Sequence, residues 1–369
     1  MIVDAPNGGH PKPQQGFLGA VSREFYSQQF AVPVGPPPAK LAIAVIEPRN
    51  YGFGASAEWG KNRDSLVLQW HVGNAPASTS RSKPPQASNE SGKESQQEQL
   101  ERIRRGLARL PVCQSAGTVI LLPGWGEDKE TLLGYALDFA NHGYRVVLVD
   151  LRGQGASSGG QVTYGLIERH DIAQLVSALK TRGLVAGKIA LVGFSEGATI
   201  ALDAAADDPD LSAVVAAAPF VSLRTAITGV GRDFMPQLSK MVSDEKLDDA
   251  LEIADRKTGM NLADSDPTAR VGNISAPVLY IAGGSDDVSS AADVRMLAAK
   301  TPHARFVELP HYPHVGVYFD VATIGPLTLD LLSEELGKPV EPACIAAPFN
   351  APEDAQYHFK FTFEIKRRK

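Results

Sequence analysis

Cysteine is scarce in this chain, whose 369 residues include only Cys113 and Cys344. Two cysteines are too few for a disulfide framework. A single bridge between them is possible, but two unpaired thiols are the preferred interpretation, because disulfides are rare in reducing compartments. The chain starts without the basic stretch and apolar core of a signal peptide. We therefore expect a cytoplasmic protein, or a secreted or periplasmic one whose signal has been removed.

Excess basic charge and long apolar runs are also lacking. Lysine and arginine number 36 against 42 aspartates and glutamates, a net charge of −6, which argues against general nucleic-acid binding. No stretch approaches the length of a transmembrane segment. The glycine pair at Gly153 and Gly155 lacks the third glycine of a dinucleotide-binding loop, and no histidines have the spacing of metal ligands. We therefore expect no cofactor and no metal.

Short apolar stretches alternate with helical ones from Thr118 onward. Such alternation predicts an α/β fold with a mostly parallel sheet covered by helices on both faces. Strands are predicted at 118–122, 145–149, 189–192, 213–217, 278–281 and 305–309. Helices are predicted at 129–142, 166–182, 198–206, 291–300 and 324–336. Two earlier apolar stretches, 41–46 and 66–72, predict an antiparallel pair of strands.

Changes in composition divide the chain into three parts. Residues 1–39 are rich in proline, glycine and glutamine, and predict an arm that is at most partly ordered. The α/β domain is predicted over 40–336, with a polar insertion at 74–112 and a helical lid at 222–272. Residues 337–369 form a C-terminal extension, whose alternating apolar pattern near its end predicts an added edge strand.

The segment Gly193-Phe194-Ser195-Glu196-Gly197 directly follows a predicted buried strand and precedes a predicted helix. A serine in such a sharp turn is held exposed, where a base can activate its hydroxyl as a nucleophile. Glycine two residues before and after the serine leaves room for the turn. The helix that follows directs the positive end of its dipole at the site.

A serine nucleophile needs a histidine base and an acid that orients the histidine. The acid candidates, Asp286 and Asp287, follow the predicted strand at 278–281, and Asp286 is preferred. The base candidates, His311 and His314, follow the last predicted strand, and His314 is preferred. The order Ser, Asp, His is one of the orders in which such triads occur along a chain.

The backbone N–H groups of Trp125 and Glu196 are the candidate oxyanion donors. The N–H group of Glu196 follows from the serine turn, and Trp125 lies in the loop after the strand at 118–122. Gly124 permits close approach of that loop to a substrate. Together with Gly124, Phe194 and Phe220 are candidate substrate-binding residues, and Tyr164 is a further candidate for the acyl side.

These motifs, in this order, resemble the α/β-hydrolase superfamily, in particular its serine-hydrolase branch of monoacylglycerol-lipase, lysophospholipase and serine-aminopeptidase-like members. The resemblance covers about residues 116–336 and includes the segment Asp150-Leu151-Arg152-Gly153-Gln154-Gly155-Ala156-Ser157. It implies the α/β-hydrolase fold and the same triad and oxyanion donors as above. One departure is Pro123, where the family usually has histidine.

Three functions are compatible with these observations. The first is a carboxylesterase- or lipase-like serine hydrolase acting on small-molecule esters of small to medium acyl chains. The second is a serine aminopeptidase or amidase, for which Glu196, Asp264 or Asp266 could hold a free amino terminus. The third is a non-catalytic binding protein on the same fold. The sequence leaves the oligomeric state open.

Overall fold

A computed structural model describes residues 2–7, 12, 16–61, 65–73, 95–234, 237, 242–346 and 357–364, and the side chains of these residues except 233–234 and 357–364. In chain order the strands are β1 (Gln28–Val34), β2 (Ala39–Ile46), β3 (Gly54–Trp59), β4 (Ser65–Val72), β5 (Gly117–Leu122), β6 (Arg145–Val149), β7 (Lys188–Phe194), β8 (Leu211–Ala217), β9 (Val278–Gly283), β10 (Ala304–Leu309) and β11 (Tyr357–Glu364). The helices are α1 (Phe17–Phe25), α2 (Gln96–Leu107), α3 (Leu133–Asn141), α4 (Glu168–Thr181), α5 (Glu196–Asp207), α6 (Leu223–Phe234), α7 (Asp244–Thr258), α8 (Ala291–Lys300), α9 (His314–Phe319), α10 (Val321–Glu335) and α11 (Pro342–Ile345).

Eight strands form the central sheet, in the order β1-β2-β6-β5-β7-β8-β9-β10. The strands from β6 to β10 in this order are parallel, whereas β1 and β2 are antiparallel to their neighbours. Alternate residues of one strand enter different cores. In β5, Val119 and Leu121 pack towards α3 and α10, while Ile120 and Leu122 pack towards α4 and α5. Burial on both faces explains the continuous apolar runs. The predicted α/β class, with a mostly parallel sheet covered by helices on both faces, is confirmed.

The predicted pairing of the strands at 41–46 and 66–72 is wrong. β2 pairs with β1 and β6, whereas β4 lies between β11 and β3 in a separate antiparallel sheet. The burial patterns explain the difference. β2 is buried along nearly its whole length, but β4 buries only every second side chain, which is typical of a sheet with one covered face.

The prediction of an arm over residues 1–39 is wrong for residues 17–34, which form α1 and the edge strand β1. Gln28, Gln29 and Pro33 lie in β1, and these residue types suit an edge strand because only one side of its backbone is paired. In this segment, proline and glutamine therefore indicate an edge strand of the sheet and not a disordered arm.

The C-terminal extension is attached in two places. β11 adds to β4 as an edge strand, with Tyr357 opposite Val72 and Glu364 opposite Ser65, which confirms the predicted strand. The prediction of two unpaired thiols is wrong, because Cys113 and Cys344 form a disulfide across 231 positions of sequence. Only the folded chain brings the segment after α2 next to α11, so no local pattern could show the pairing.

The two predicted insertions are described to different extents. Residues 74–94 of the polar insertion lie outside the described residues, and α2, with Ile103 and Leu107 buried, forms most of the remainder. The predicted lid contains α6 and α7. Its last residues pack with the main core instead, since Val271 belongs to the same apolar cluster as β7 and α5. Across the described ranges, no helix combines the length and apolar character needed to span a bilayer.

Candidate active site

Ser195 lies at the junction of β7 and α5, in a backbone conformation that is rare for residues other than glycine. Its φ is 52° and its ψ is −116°. A Cβ atom on Gly193 would lie 2.2 Å from the carbonyl oxygen of Gly197, and one on Gly197 would lie 2.2 Å from that of Leu122. Both glycines are therefore required by close backbone contact. This is the strained strand-to-helix turn that exposes a nucleophile.

A chain of two hydrogen bonds joins Ser195, His314 and Asp286. Ser195 Oγ is 2.9 Å from His314 Nε2, and His314 Nδ1 is 2.8 Å from Asp286 Oδ2. A carboxylate only accepts hydrogen bonds, so Nδ1 carries the proton and Nε2 can accept that of the serine. The Asp286 side chain is 0% exposed and that of His314 is 11% exposed. These are the contacts that a Ser-His-Asp triad requires.

The three side chains meet because each follows a strand of the central sheet at its carboxyl edge. Ser195 follows β7, Asp286 lies three residues after β9, and His314 begins α9 after β10. The other oxygen of Asp286 accepts the backbone N–H groups of Val288 and Ser289, both at 2.8 Å. These bonds fix the orientation of the carboxylate. The structure thus brings together Ser195 and its two preferred partners, Asp286 and His314.

The loop after β5 lies directly against the serine. A Cβ atom on Gly124 would lie 3.4 Å from the Cβ atom of Ser195 and 3.0 Å from the Tyr318 ring. The Gly124 N–H donates to the Tyr318 hydroxyl at 3.1 Å, and the Gly126 N–H donates to Gln154 Oε1 at 2.7 Å. Among the described residues, no hydrogen-bond acceptor is found for the Trp125 N–H that lies between them. That group remains the candidate oxyanion donor of this loop.

Glu196 occupies the first position of α5, where backbone N–H groups have no partner within the helix. Its side chain is 1% exposed, and Oε2 accepts a hydrogen bond from Gln154 Nε2 at 2.8 Å. Within the part of the chain that the structure describes, Oε1 has no hydrogen-bond partner. Burial, together with the nearby Glu168, raises the pKa of Glu196 to about 8, so the carboxyl is mostly protonated at neutral pH.

Two supporting residues, Gln154 and Tyr318, were not assigned from the sequence. Gln154 Oε1 is the acceptor for the Gly126 N–H. A signal for each was present. Gln154 stands between two glycines in a loop after a strand, and Tyr318 lies four residues after His314, on the same helix face.

The two phenylalanines predicted to contact the substrate, Phe194 and Phe220, are both buried in this structure. Phe194 is 0% exposed, with its ring 4.7 Å from that of Tyr135 and 5.3 Å from that of Tyr318. Phe220 is 4% exposed and packs in a cluster with Tyr164 and Val3. The Phe194 side chain, at the last position of β7, points into the core and supports the turn.

Charged groups proposed for other roles are engaged elsewhere. Asp264 accepts a hydrogen bond from Asn261, and Asp266 accepts the N–H of Thr268. In the described part of the chain, one cluster has the residue types to hold a metal, and it consists of Cys113, Cys344 and Glu341. Its two sulfur atoms are bonded to each other, so they are not thiolate ligands.

Comparisons with known proteins agree with this architecture. Residues 114–268, less than half of the chain, match the family described as "Serine aminopeptidase, S33". The uncharacterized protein Rv2307c of Mycobacterium tuberculosis is 28% identical over 201 residues, which cover 54% of this chain and 63% of that protein. The match therefore spans less than two thirds of this relative's length.

Two solved structures illustrate the likeness in fold. A 2,6-dihydroxy-pseudo-oxynicotine hydrolase is 15% identical, with a TM-score of 0.51, over 85% of this chain and 70% of that one. The esterase Pf2001 of Pyrococcus furiosus is 18% identical, with a TM-score of 0.48, over 78% of this chain and 94% of that one. Considered with the described sheet and the turn at Ser195, these findings show an α/β-hydrolase fold, and residues 114–268 resemble the S33 serine aminopeptidase family.

Proposed function

We propose that this protein is a serine hydrolase that cleaves carboxylic esters through an acyl-enzyme intermediate. The observation that carries the proposal is the hydrogen-bonded chain from Ser195 through His314 to the buried Asp286. A binding protein on this fold would have no need of all three groups in contact, in a turn that is strained at the serine.

The reaction follows the template of serine hydrolases. Ser195 Oγ attacks the ester carbonyl carbon while His314 Nε2 takes the hydroxyl proton, and Asp286 stabilises the imidazolium that forms. The tetrahedral oxyanion lies between the N–H groups of Trp125 and Glu196. Collapse of this intermediate breaks the ester C–O bond, and His314 gives its proton to the leaving alcohol. Water then attacks the acyl-enzyme with His314 again as base, which releases the acid and restores Ser195.

The burial of the aromatic side chains on the acyl side supports small to medium acyl groups. Tyr164 and Phe220 pack against each other and against Val3, and the hydroxyl of Tyr164 donates to the carbonyl oxygen of Ile2. In this conformation, residues 2–3 thus occupy space beside the rings that would otherwise contact a long chain. Trp125, which is 45% exposed, remains available to contact the acyl or alcohol group of a small ester.

Ester hydrolysis by the wild type and by Ser195→Ala tests the proposal. The substrates are p-nitrophenyl acetate, butyrate, octanoate and palmitate, and Ser333→Ala, on the remote helix α10, is the matched control. We expect hydrolysis of the shorter esters, retained in the control and lost in Ser195→Ala. Unchanged hydrolysis by Ser195→Ala would refute the assignment of the nucleophile.

A serine aminopeptidase or amidase with the same triad is the second candidate, because residues 114–268 match the S33 family. Its anchor for a free amino terminus cannot be the Glu196 side chain, which is buried. Hydrolysis of aminoacyl p-nitroanilides, without hydrolysis of the p-nitrophenyl esters, would favour this candidate. A folded protein that no fluorophosphonate labels would instead be a binding protein.

The disulfide bears on the cellular location, for which the sequence predicts the cytoplasm unless a signal has been removed. Disulfides persist mainly in oxidising compartments, so the pairing of Cys113 with Cys344 favours the second alternative. Thiol labelling of the protein in freshly lysed cells, before and after reduction, distinguishes the two. Two free thiols before reduction would support the cytoplasm.

A further inference from the structure

We propose that Gln154 is a positioning residue, whose carboxamide holds the two oxyanion donors at a fixed separation. The inference rests on the proposed function, since it assigns a role within the same site. It concerns a buried side chain that hydrogen-bonds to both chain segments that carry the oxyanion donors.

The carboxamide of Gln154 bridges the two chain segments that carry the donors. Its Oε1 accepts the N–H of Gly126 at 2.7 Å, and its Nε2 donates to Glu196 Oε2 at 2.8 Å. Gly126 directly follows Trp125 in the chain, and Glu196 itself carries the second donor. One planar group therefore links the loop after β5 to the start of α5, and the separation of the two donors depends on it.

Few side chains could form this bridge. The position needs an acceptor for a backbone N–H and a donor to a carboxyl on one rigid group, which an amide supplies. Gln154 is 1% exposed, so water cannot readily replace either partner. Methionine matches the length of glutamine but has neither strong hydrogen-bonding function, and ionised glutamate retains only the acceptors.

The backbone of Gln154 is itself held in place by its loop. The Gln154 N–H donates to the Leu151 carbonyl at 3.0 Å, and the Gln154 carbonyl accepts the Ser157 N–H at 2.9 Å. Arg152, two residues earlier, forms a buried ion pair with Asp171. Its Nε donates to Oδ2 at 2.8 Å, and its Nη2 donates to Oδ1 at 2.7 Å. Charge-assisted ion pairs of this kind fix the orientation of the side chains that form them. The loop that carries the Gln154 carboxamide is therefore held rigidly.

Loss of the bridge should weaken stabilisation of the transition state more than it weakens substrate binding. The oxyanion exists only after attack, so misplaced donors weaken the transition state and leave the ground state nearly unchanged. Displacement of a donor by about 1 Å can cost about 100-fold in rate. We therefore expect Gln154→Met to lower kcat by about 10- to 100-fold with KM changed less than about threefold.

The first experiment compares Gln154→Met with Gln97→Met, a control at an exposed position of α2. Two rates are measured for each protein: hydrolysis of p-nitrophenyl butyrate, and labelling of Ser195 by a fluorophosphonate, followed by mass spectrometry. The phosphonyl oxygen also needs the oxyanion donors, so both rates should fall together in Gln154→Met and remain at the wild-type level in the control. Wild-type rates in a folded Gln154→Met would overturn the inference.

A second variant, Gln154→Glu, separates positioning from a purely structural role and carries the test if Gln154→Met does not fold. At low pH the introduced carboxyl and Glu196 can share a proton and keep the bridge, whereas two ionised carboxylates repel each other. The other titratable groups that face Glu196 are Glu168 on α4 and Tyr164. The labelling rate of Gln154→Glu relative to the wild type should therefore fall as the pH rises. A ratio that does not change with pH would overturn the inference.

Failure of the proposed function gives a different result from failure of this inference. If the fluorophosphonate labels no residue of the folded wild type, the serine-hydrolase proposal is overturned and the positioning role falls with it. If the wild type is labelled at Ser195 and both Gln154 variants match it at every pH, only the positioning role is overturned.

Discussion

Replacement of Glu196 by glutamine should stabilise the protein increasingly as the pH rises. Burial and the proximity of Glu168 raise the pKa of Glu196 from 4.5 to about 8 in the folded protein. Between these two values the folded chain keeps a proton that the unfolded chain releases. Wild-type stability is therefore lost as the pH rises through this window, and a neutral glutamine avoids the loss.

The size of the effect follows from the shift in pKa. Each unit is equivalent to about 1.4 kcal/mol, so the shift costs the wild type about 5 kcal/mol above pH 8 and almost nothing below pH 4. Most of it is expressed between pH 5 and pH 9, over which the advantage of Glu196→Gln should grow by about 4 kcal/mol. Glutamine has nearly the same shape as glutamate and keeps an oxygen to accept the hydrogen bond from Gln154. Any difference in packing between the two proteins therefore changes the free energy of unfolding by the same amount at every pH.

Urea unfolding at one-unit intervals from pH 5 to pH 9, with the disulfide intact, measures this growth. Glu101→Gln, on the exposed side of α2, is the control for the loss of one surface carboxylate. We expect its stability relative to the wild type to change little over the same range. A difference between Glu196→Gln and the wild type that is constant with pH would refute the burial argument, because it would show that Glu196 ionises normally in the folded protein.

Two further predictions concern the triad and the disulfide. Asp286→Asn should lower kcat for p-nitrophenyl butyrate by about 10⁴-fold. The asparagine oxygen would accept the Val288 and Ser289 N–H groups, so an NH2 donor would face His314 Nδ1 and favour the wrong tautomer; a decrease of less than tenfold would contradict the assigned role. Cys113→Ser should lower the free energy of unfolding by 2 kcal/mol or more, up to about 5 kcal/mol, since the bridge to Cys344 closes a loop of 231 positions. Urea unfolding checks the second prediction, and a wild type whose stability is unchanged by dithiothreitol would refute it.

The contacts of the candidate triad could be predicted because each member carries a local signal. Ser195 stands between glycines after an apolar strand, and Asp286 and His314 each follow a strand of the same parallel sheet. The carboxyl ends of parallel strands meet at one edge, so position along the chain was enough to predict proximity. The preference for these two over Asp287 and His311 agrees with the hydrogen bonds that the structure forms.

The features that the sequence did not predict depend on contacts between distant segments. Periodicity shows that residues 66–72 form a strand, but not which strand lies beside it. The pairing of Cys113 with Cys344 depends on the path of the C-terminal extension. The strand predicted at 189–192 extends in the structure to Phe194, whose side chain joins Ala190 and Val192 in one core cluster.

The same distinction explains how the candidate site is held together. Apolar packing places the strands, but the exact positions of the groups in the site depend on buried polar contacts between loops. The Tyr318 hydroxyl holds Gly124, the Gln154 carboxamide holds Gly126 and Glu196, and two backbone N–H groups hold Asp286. A hydrogen bond is directional and contributes only about 1 kcal/mol net. Changes at these contacts should alter the reaction rate and, where they leave a buried polar group without its partner or change its charge, the stability of the fold as well. Kinetics and unfolding must therefore be measured on the same variants.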